Sequence, residues 1–165
     1  GSMTQMISHA FGSGAMFLAF GLIYEQMHTR VIHDFGGIAK PMPYFSAFFM
    51  LFAMSNVGLP GTSGFVGEFM IILSTFKASF WVTLLAASTL VIGAAYTLYM
   101  YRRVFYGEVK NEVVAALKDV SGLNLLLFIL LGAAVLLIGL FPNPMLNVFH
   151  QTIDHLLRLS ITTKL

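Results

Sequence analysis

A single acidic residue, Glu68, lies deep inside an apolar segment that runs from residue 44 to residue 76. Placing a carboxylate in a membrane costs about 2.5–3.5 kcal/mol on insertion scales, so such a group usually marks an ion or proton path. Shortly before it, Pro60 lacks a backbone donor, and together with Gly58 and Gly61 it predicts a break in the helix. A membrane ion transporter combines these two features, a broken helix and a buried acid.

The residues beside the break supply further polar groups. Asn56 precedes the break, and Gly61, Thr62 and Ser63 directly follow Pro60. We expect Thr62 or Ser63 to cap the second half-helix, whose N-terminal dipole would face the carbonyl groups that the proline leaves free. The alternative is an ordinary proline kink without a function. The neighbouring glycines and the buried carboxylate favour a functional break.

A second polar feature lies in the first apolar segment, where Gln5, His9 and Ser13 recur every four residues and therefore share one face of a helix. His9 is the one histidine inside an apolar segment. Two interpretations of it stay open. It is a member of a proton relay, as ionisable residues inside membranes tend to be, or its hydrogen bonds join two helices.

The polar loop after this segment contains His28, His33 and Asp34. Their spacing is neither that of a helical pair nor that of a zinc-binding pair, so we predict no metal site. Cysteine is absent from the chain, which excludes disulfides, thiolate metal sites and thiol catalysis. The net charge of +2 gives no argument for binding nucleic acid.

The composition is that of an integral membrane protein, since 58% of the 165 residues are hydrophobic and 10% are charged, whereas soluble domains carry about 25% charged residues. The apolar segments predict an all-α membrane protein with four transmembrane helices, the second of them broken at Pro60. The predicted spans are residues 3–24, 44–76 with the break near 57–62, 81–101 and 123–141. Residues 1–141 then form a transmembrane region, and residues 142–165 form an amphipathic C-terminal tail.

The distribution of Lys and Arg predicts the orientation. The loops 25–43 and 102–120 hold most of these residues, which places both loops in the cytoplasm and the C-terminus on the outer side. The chain starts within a helix, and this suggests that it is a fragment of a larger protein.

Three strings of the sequence resemble one known family. They are QMISH, which begins at Gln5, LIYEQMHTR, which begins at Leu22, and GLPGTSGFVGEF, which begins at Gly58. They resemble the C-terminal part of the subunit M/subunit 4 family of proton-translocating NADH:quinone oxidoreductase, which is respiratory complex I. The resemblance covers nearly the whole chain and is closest to the bacterial form.

The resemblance implies that the chain is a fragment of an antiporter-like fold with fourteen transmembrane helices. Glu68 falls on the acidic residue at the exit end of the proton pathway, and His9 falls on the histidine of the central polar axis. The helix break and the polar lane would be supported by Pro60, Gly61, Thr62, Ser63, Asn56, Gln5 and Ser13. The implied function is proton translocation, coupled to NADH oxidation and quinone reduction elsewhere in the complex.

The resemblance also implies that the chain is an enzyme only as a subunit of this translocase, with no redox or catalytic centre of its own. NADH, flavin, iron–sulfur clusters and quinone would belong to other subunits. The expected partners are the other membrane-arm subunits, especially neighbouring antiporter-like subunits, and the lipid bilayer. The expected location is the bacterial inner membrane, with the C-terminus on the periplasmic side.

Two alternatives remain. One is a subunit of a multi-subunit sodium/proton antiporter, which shares the ancestry and the broken helix. The other is a structural membrane module without an ion path, in which Glu68 only forms hydrogen bonds between helices.

Overall fold

A computed structural model describes residues 1–109 and 111–162, and these residues form a bundle of helices. The helices are α1 (Ser2–Met27), α2 (Pro43–Asn56), α3 (Ser63–Phe76), α4 (Phe80–Phe105), α5 (Glu112–Ala115), α6 (Gly122–Leu140) and α7 (Asn143–Thr162), and a 3-10 turn (Ile32–Asp34) precedes α2. Residues 163–165 of the predicted tail lie outside the described residues.

Three of the described helices, α1, α4 and α6, are long and apolar enough to cross a membrane. The second predicted span consists of α2 and α3, which have 14 residues each. Each half is about 21 Å long at about 1.5 Å per residue, so neither crosses the roughly 30 Å hydrocarbon core alone. The predicted all-α membrane fold with a broken second span is confirmed. The division into residues 1–141 and 142–165 stays a prediction.

Helix α4 extends to Phe105, beyond the predicted end at residue 101. Its last turn contains Arg102 and Arg103. Arginine is a good helix former, so the charge that ends an apolar segment does not end the helix. The prediction from hydropathy therefore located the apolar part of α4 and missed its polar last turn.

The core is aromatic and lies where α2 meets α4 and α6. Phe45, Phe49, Phe105 and Phe128 are almost completely buried. The rings of Phe49 and Phe105 lie 4.8 Å apart between centroids, and those of Phe45 and Phe128 lie 6.1 Å apart. The Tyr101 hydroxyl, in the same cluster, donates to the Ser46 carbonyl at 2.9 Å. Because aromatic side chains bury large areas, this cluster holds the first half of the broken helix in place.

The loop before α6 fixes the beginning of α2. The Asp119 carboxylate accepts hydrogen bonds from the N–H groups of Tyr44 at 2.8 Å and Phe45 at 2.9 Å. These donors belong to the first turn of α2, whose N–H groups have no partner within the helix. The Gln26 side chain holds the same loop, since it donates to the Lys118 carbonyl at 3.1 Å and accepts from its N–H at 2.9 Å. A residue distant in sequence therefore caps the first half-helix.

Glycines allow close contact between the other helices. A Cβ at Gly67 would lie 2.7 Å from the Cα of Gln5, so α1 packs directly on the backbone of α3. A Cβ at Gly64 would collide with the Ser55 carbonyl oxygen, so α3 begins beside the end of α2. Such close approach through small residues is typical of helices that associate inside membranes.

Candidate functional site

The helix break occupies residues 57–62, between α2 and α3. The chain leaves α2 through Gly58, which has a φ of 76°, and the N–H of Leu59 donates back to the Met54 carbonyl at 3.0 Å. A glycine in the left-handed conformation is a common way to end a helix, since it has no Cβ to clash with the backbone. Pro60 lies exposed at the surface of the described chain, on the outside of the break.

The expected side-chain cap of α3 is wrong. Thr62 occupies the capping position, but its hydroxyl donates to the Leu59 carbonyl at 2.7 Å and accepts nothing from the first turn of α3. The Ser63 hydroxyl lies 3.4 Å from that of Ser55 at the end of α2. Both hydroxyls therefore stabilise the break itself, because the turn that joins the half-helices offers nearer partners than the start of α3.

Helix α6 covers the break, a feature that the sequence analysis missed. A Cβ at Gly139 would collide with the Gly61 carbonyl oxygen and the Thr62 backbone, and a Cβ at Gly61 would lie 3.8 Å from Leu140. The fourth apolar segment contains no chemically reactive side chain, so its glycine offered the only sequence signal. The approach of α6 shields part of the loose backbone, as membrane depth requires.

The Glu68 side chain points back at the break rather than away from the bundle. Its Oε1 accepts a hydrogen bond from Nε2 of Gln5 at 3.3 Å. Its Oε2 lies directly against Gly58, since a Cβ at that glycine would collide with it. Both Glu68 Oε2 and Gln5 Oε1 are buried and have no hydrogen-bond partner among the described residues. One carboxylate oxygen is therefore paired, and the other is not.

A second group of predicted residues, His9, Ser13 and Asn56, comes together at the C-terminal end of α2. The Ser13 hydroxyl lies 3.0 Å from Nε2 of His9 and donates to Oδ1 of Asn56 at 3.4 Å. Asn56 in turn donates to the sulfur of Met16 at 3.4 Å. The structure thus brings His9, Ser13 and Asn56 together at the end of α2, and it joins Gln5 of α1 to Glu68 of α3. The His9 ring thus contacts Ser13 of its own helix, and through Ser13 it is linked to Asn56 of α2.

No group of three or more His, Cys, Asp or Glu side chains that would hold a metal ion occurs within residues 1–109 and 111–162. In the first loop, Asp34 instead accepts a hydrogen bond from the Thr29 hydroxyl at 2.7 Å.

A protein-family model described as "NADH:quinone oxidoreductase/Mrp antiporter, TM" matches residues 1–94 of this chain. The matched part is more than half of the chain and contains α1, the helix break and Glu68. The chain belongs to the NADH:quinone oxidoreductase/Mrp antiporter family. The resemblance that the sequence strings predicted is confirmed.

The relatives that this chain matches are named subunit M or chain 4 of NADH-quinone or NADH-ubiquinone oxidoreductase. The chain is 44% identical over 158 residues to NADH-quinone oxidoreductase subunit M of Rhodobacter capsulatus. It is 39% identical over 157 residues to subunit M of Rickettsia bellii and 36% identical over 159 residues to NADH-ubiquinone oxidoreductase chain 4 of Chondrus crispus. These alignments cover 95–96% of this chain and 31–32% of the relatives. The chain therefore spans about a third of the length of the curated relatives it matches.

A solved structure of the same family has the same arrangement of helices. It is a chain of "Respiratory complex I from Thermus thermophilus with bound NADH", with a TM-score of 0.74 and 30% sequence identity. The match covers 87% of this chain and 32% of that chain. This chain is thus a multi-pass membrane protein of the antiporter family.

Proposed function

We propose that this chain is part of the proton-translocating subunit M of NADH:quinone oxidoreductase, and that Glu68 lies on the proton path. The proposal is supported above all by the Glu68 carboxylate, which is turned onto the helix break. One of its oxygens is paired, and the other is buried without a partner among the residues that the structure describes. A purely structural carboxylate would be expected to pair both oxygens, because an unpaired buried polar atom is costly. A group that binds and releases a proton needs one oxygen free for it.

The surroundings of Glu68 suit a proton carrier. The Gln5 amide offers Nε2–H as a donor to the ionised carboxylate and Oε1 as an acceptor for the protonated form. One residue therefore stabilises Glu68 in both protonation states, with little movement. The His9, Ser13 and Asn56 group at the end of α2 continues the polar lane along α1. In this proposal protons reach the lane from the cytoplasm and leave on the outer side by way of Glu68.

In this proposal NADH, flavin, iron–sulfur clusters and quinone lie in other subunits of the complex. The chain contributes to the enzyme by protonating, deprotonating and positioning side chains. Its partners are other membrane-arm subunits, especially antiporter-like neighbours, together with lipid. The exposed apolar side chains of α4 and α6 offer surfaces for both, among them Leu85, Ile92, Leu130 and Leu137. The proposed location is the bacterial inner membrane, with the C-terminus on the periplasmic side, as the Lys and Arg distribution favours.

The test is Glu68→Gln in the intact complex. We expect the protons pumped per NADH oxidised to fall at least tenfold, because an amide cannot release a proton to the path. Electron transfer from NADH to an artificial acceptor should stay at the wild-type rate. Glu108→Gln, in the exposed loop after α4, is the matched control and should leave both rates unchanged. Normal pumping by Glu68→Gln would remove Glu68 from the path.

A second candidate follows from the family itself, since its description covers Mrp antiporters as well. In that case the complete protein exchanges sodium for protons. Proteoliposomes with the intact multi-subunit complex that contains the full-length protein separate the two: a sodium gradient that drives proton movement without NADH favours the antiporter. Proton movement that needs NADH and is independent of sodium favours the oxidoreductase subunit.

A further inference from the structure

Ser8 has an unusual hydroxyl group. The residue is 1% exposed in the middle of α1, and its Oγ has no hydrogen-bond partner among the described residues. Other helical hydroxyls in this chain donate to a carbonyl three or four residues earlier, namely those of Ser46, Ser74, Thr75, Thr83, Ser88 and Thr89. That local bond is the usual way in which a helix satisfies a buried serine. Ser8 does not make this bond, so its hydroxyl is left available for another partner.

The contacts along α1 show where Ser8 lies. Gln5 packs against Gly67 on α3, and Gly12 lies 3.8 Å from Ser55 and 3.6 Å from Asn56 at the end of α2, measured from a Cβ built on the glycine. Ser8 lies between these two levels and on the same buried face of the helix. Its hydroxyl is therefore at the height of the helix break, between the Gln5–Glu68 pair and the Ser55–Ser63 pair.

Three buried side-chain atoms lack a partner in the described part of the chain, and they are Gln5 Oε1, Ser8 Oγ and Glu68 Oε2. Gln5 donates to Glu68 of α3, and Ser8 follows Gln5 by about one turn of α1, on its buried side. The amide oxygen and the ionised carboxylate oxygen can only accept hydrogen bonds, whereas the serine hydroxyl donates one and accepts others. One serine proton cannot satisfy two acceptors. A water molecule can, because it donates two hydrogen bonds and accepts one from Ser8, and buried waters typically make two to four such bonds.

We propose that Gln5, Ser8 and Glu68 form a binding site for ordered water, and that Ser8 is a positioning residue of the proton path between Glu68 and the helix break. The inference rests on the proposed function and extends it to a residue outside the predicted lane. The Ser8 hydroxyl holds the bound water in place and keeps its own proton. When that water gives a proton to Glu68 Oε2, a protonated water arriving from the side of the helix break returns one to it, so the bound water regains its starting state.

The test compares three variants in the intact complex. We expect Ser8→Ala to lower the protons pumped per NADH about tenfold, the effect of losing one hydrogen bond in the path. Ser8→Cys refills the space with a weak hydrogen-bonding group and should stay nearly as impaired. The control is Ser46→Ala, which removes another buried serine hydroxyl, one bonded at 2.7 Å to its own helix, and should pump normally. Normal pumping by Ser8→Ala, or full restoration by Ser8→Cys, would overturn the inference.

A second measurement does not depend on activity. High-resolution density of the wild-type complex should show ordered water within hydrogen-bond reach of Ser8 Oγ and Glu68 Oε2, and Ser8→Ala should lose it. Its absence from the wild type would overturn the inference even if Ser8→Ala failed to assemble. Glu68→Gln distinguishes a failure of the proposed function from a failure of the role of Ser8. If that variant pumps normally, the proposed function fails; if it is impaired while Ser8→Ala is normal, only the role of Ser8 fails.

Discussion

The contact between Gly58 and Glu68 predicts that Gly58→Ala lowers proton pumping. The added Cβ would collide with Glu68 Oε2. That oxygen is the far end of a flexible side chain, so the carboxylate should move while the helices stay in place. Its hydrogen bond from Gln5, now 3.3 Å long, would then be lost. A hydrogen bond to a charged group contributes about 1.5–3 kcal/mol, which corresponds to a factor of about 10–150 in the population of the paired carboxylate.

The substitution also has a backbone cost, because Gly58 has a φ of 76°. The left-handed conformation costs an alanine about 1–2 kcal/mol. Gly107→Ala measures this cost separately. Gly107 has a φ of 98°, and a Cβ built on it has nothing within 4 Å. The two variants therefore share the backbone strain, and only Gly58→Ala disturbs the carboxylate.

The assay is proton pumping per NADH oxidised in membrane vesicles, with electron transfer to an artificial acceptor as the reference. Gly58→Ala should lower pumping by at least tenfold, and Gly107→Ala should leave it unchanged. Combining Gly58→Ala with Glu68→Gln should lower pumping no further than either change alone, since both act on the same group. Equal loss in the two glycine variants, or additive loss in the double variant, would refute the reasoning.

Two further predictions concern stability and are measured as the free energy of unfolding of the chain in detergent micelles. Asp119→Ala should lower it by about 0.5–2 kcal/mol, the usual cost of losing a helix N-cap. Asp119→Asn should lose less, because one acceptor oxygen remains, and an equal loss in both would contradict the capping role. Tyr101→Phe should cost about 1 kcal/mol through the lost bond to the Ser46 carbonyl. Tyr99→Phe, at an exposed position of the same helix, is its control, and a similar cost there would show that the bond is not responsible.

Part of the candidate site was predictable from local sequence. Gln5, His9 and Ser13 share a helix face because helical spacing is a property of one segment. The break at Pro60 follows from the missing donor of proline and the neighbouring glycines. The role of Thr62 was mispredicted, because its hydroxyl donates to the Leu59 carbonyl within the turn and accepts nothing from the first turn of α3.

Asp119 and Ser8 were beyond sequence reasoning for a different reason. Asp119 caps α2 through a hydrogen bond to Tyr44, which lies 75 positions earlier in the sequence. No local sequence pattern marks a cap supplied from so far along the chain. Ser8 looks like any serine in an apolar helix. Its hydroxyl stands out only when the hydrogen bonds of the other helical hydroxyls are compared with it.

The amino-acid sequence by itself determined that the chain is a membrane protein, how many apolar segments it has, where one of them is interrupted, and which segment carries an acid. These are one-dimensional properties, set by the length of apolar runs and the chemistry of proline and glycine. The tertiary structure decided which way the Glu68 carboxylate points and which buried atoms near it have no partner within the described part of the chain. Those outcomes depend on how closely α1, α3 and α6 approach the break, and the approach is set by Gly58, Gly67 and Gly139, which contact residues from other parts of the chain.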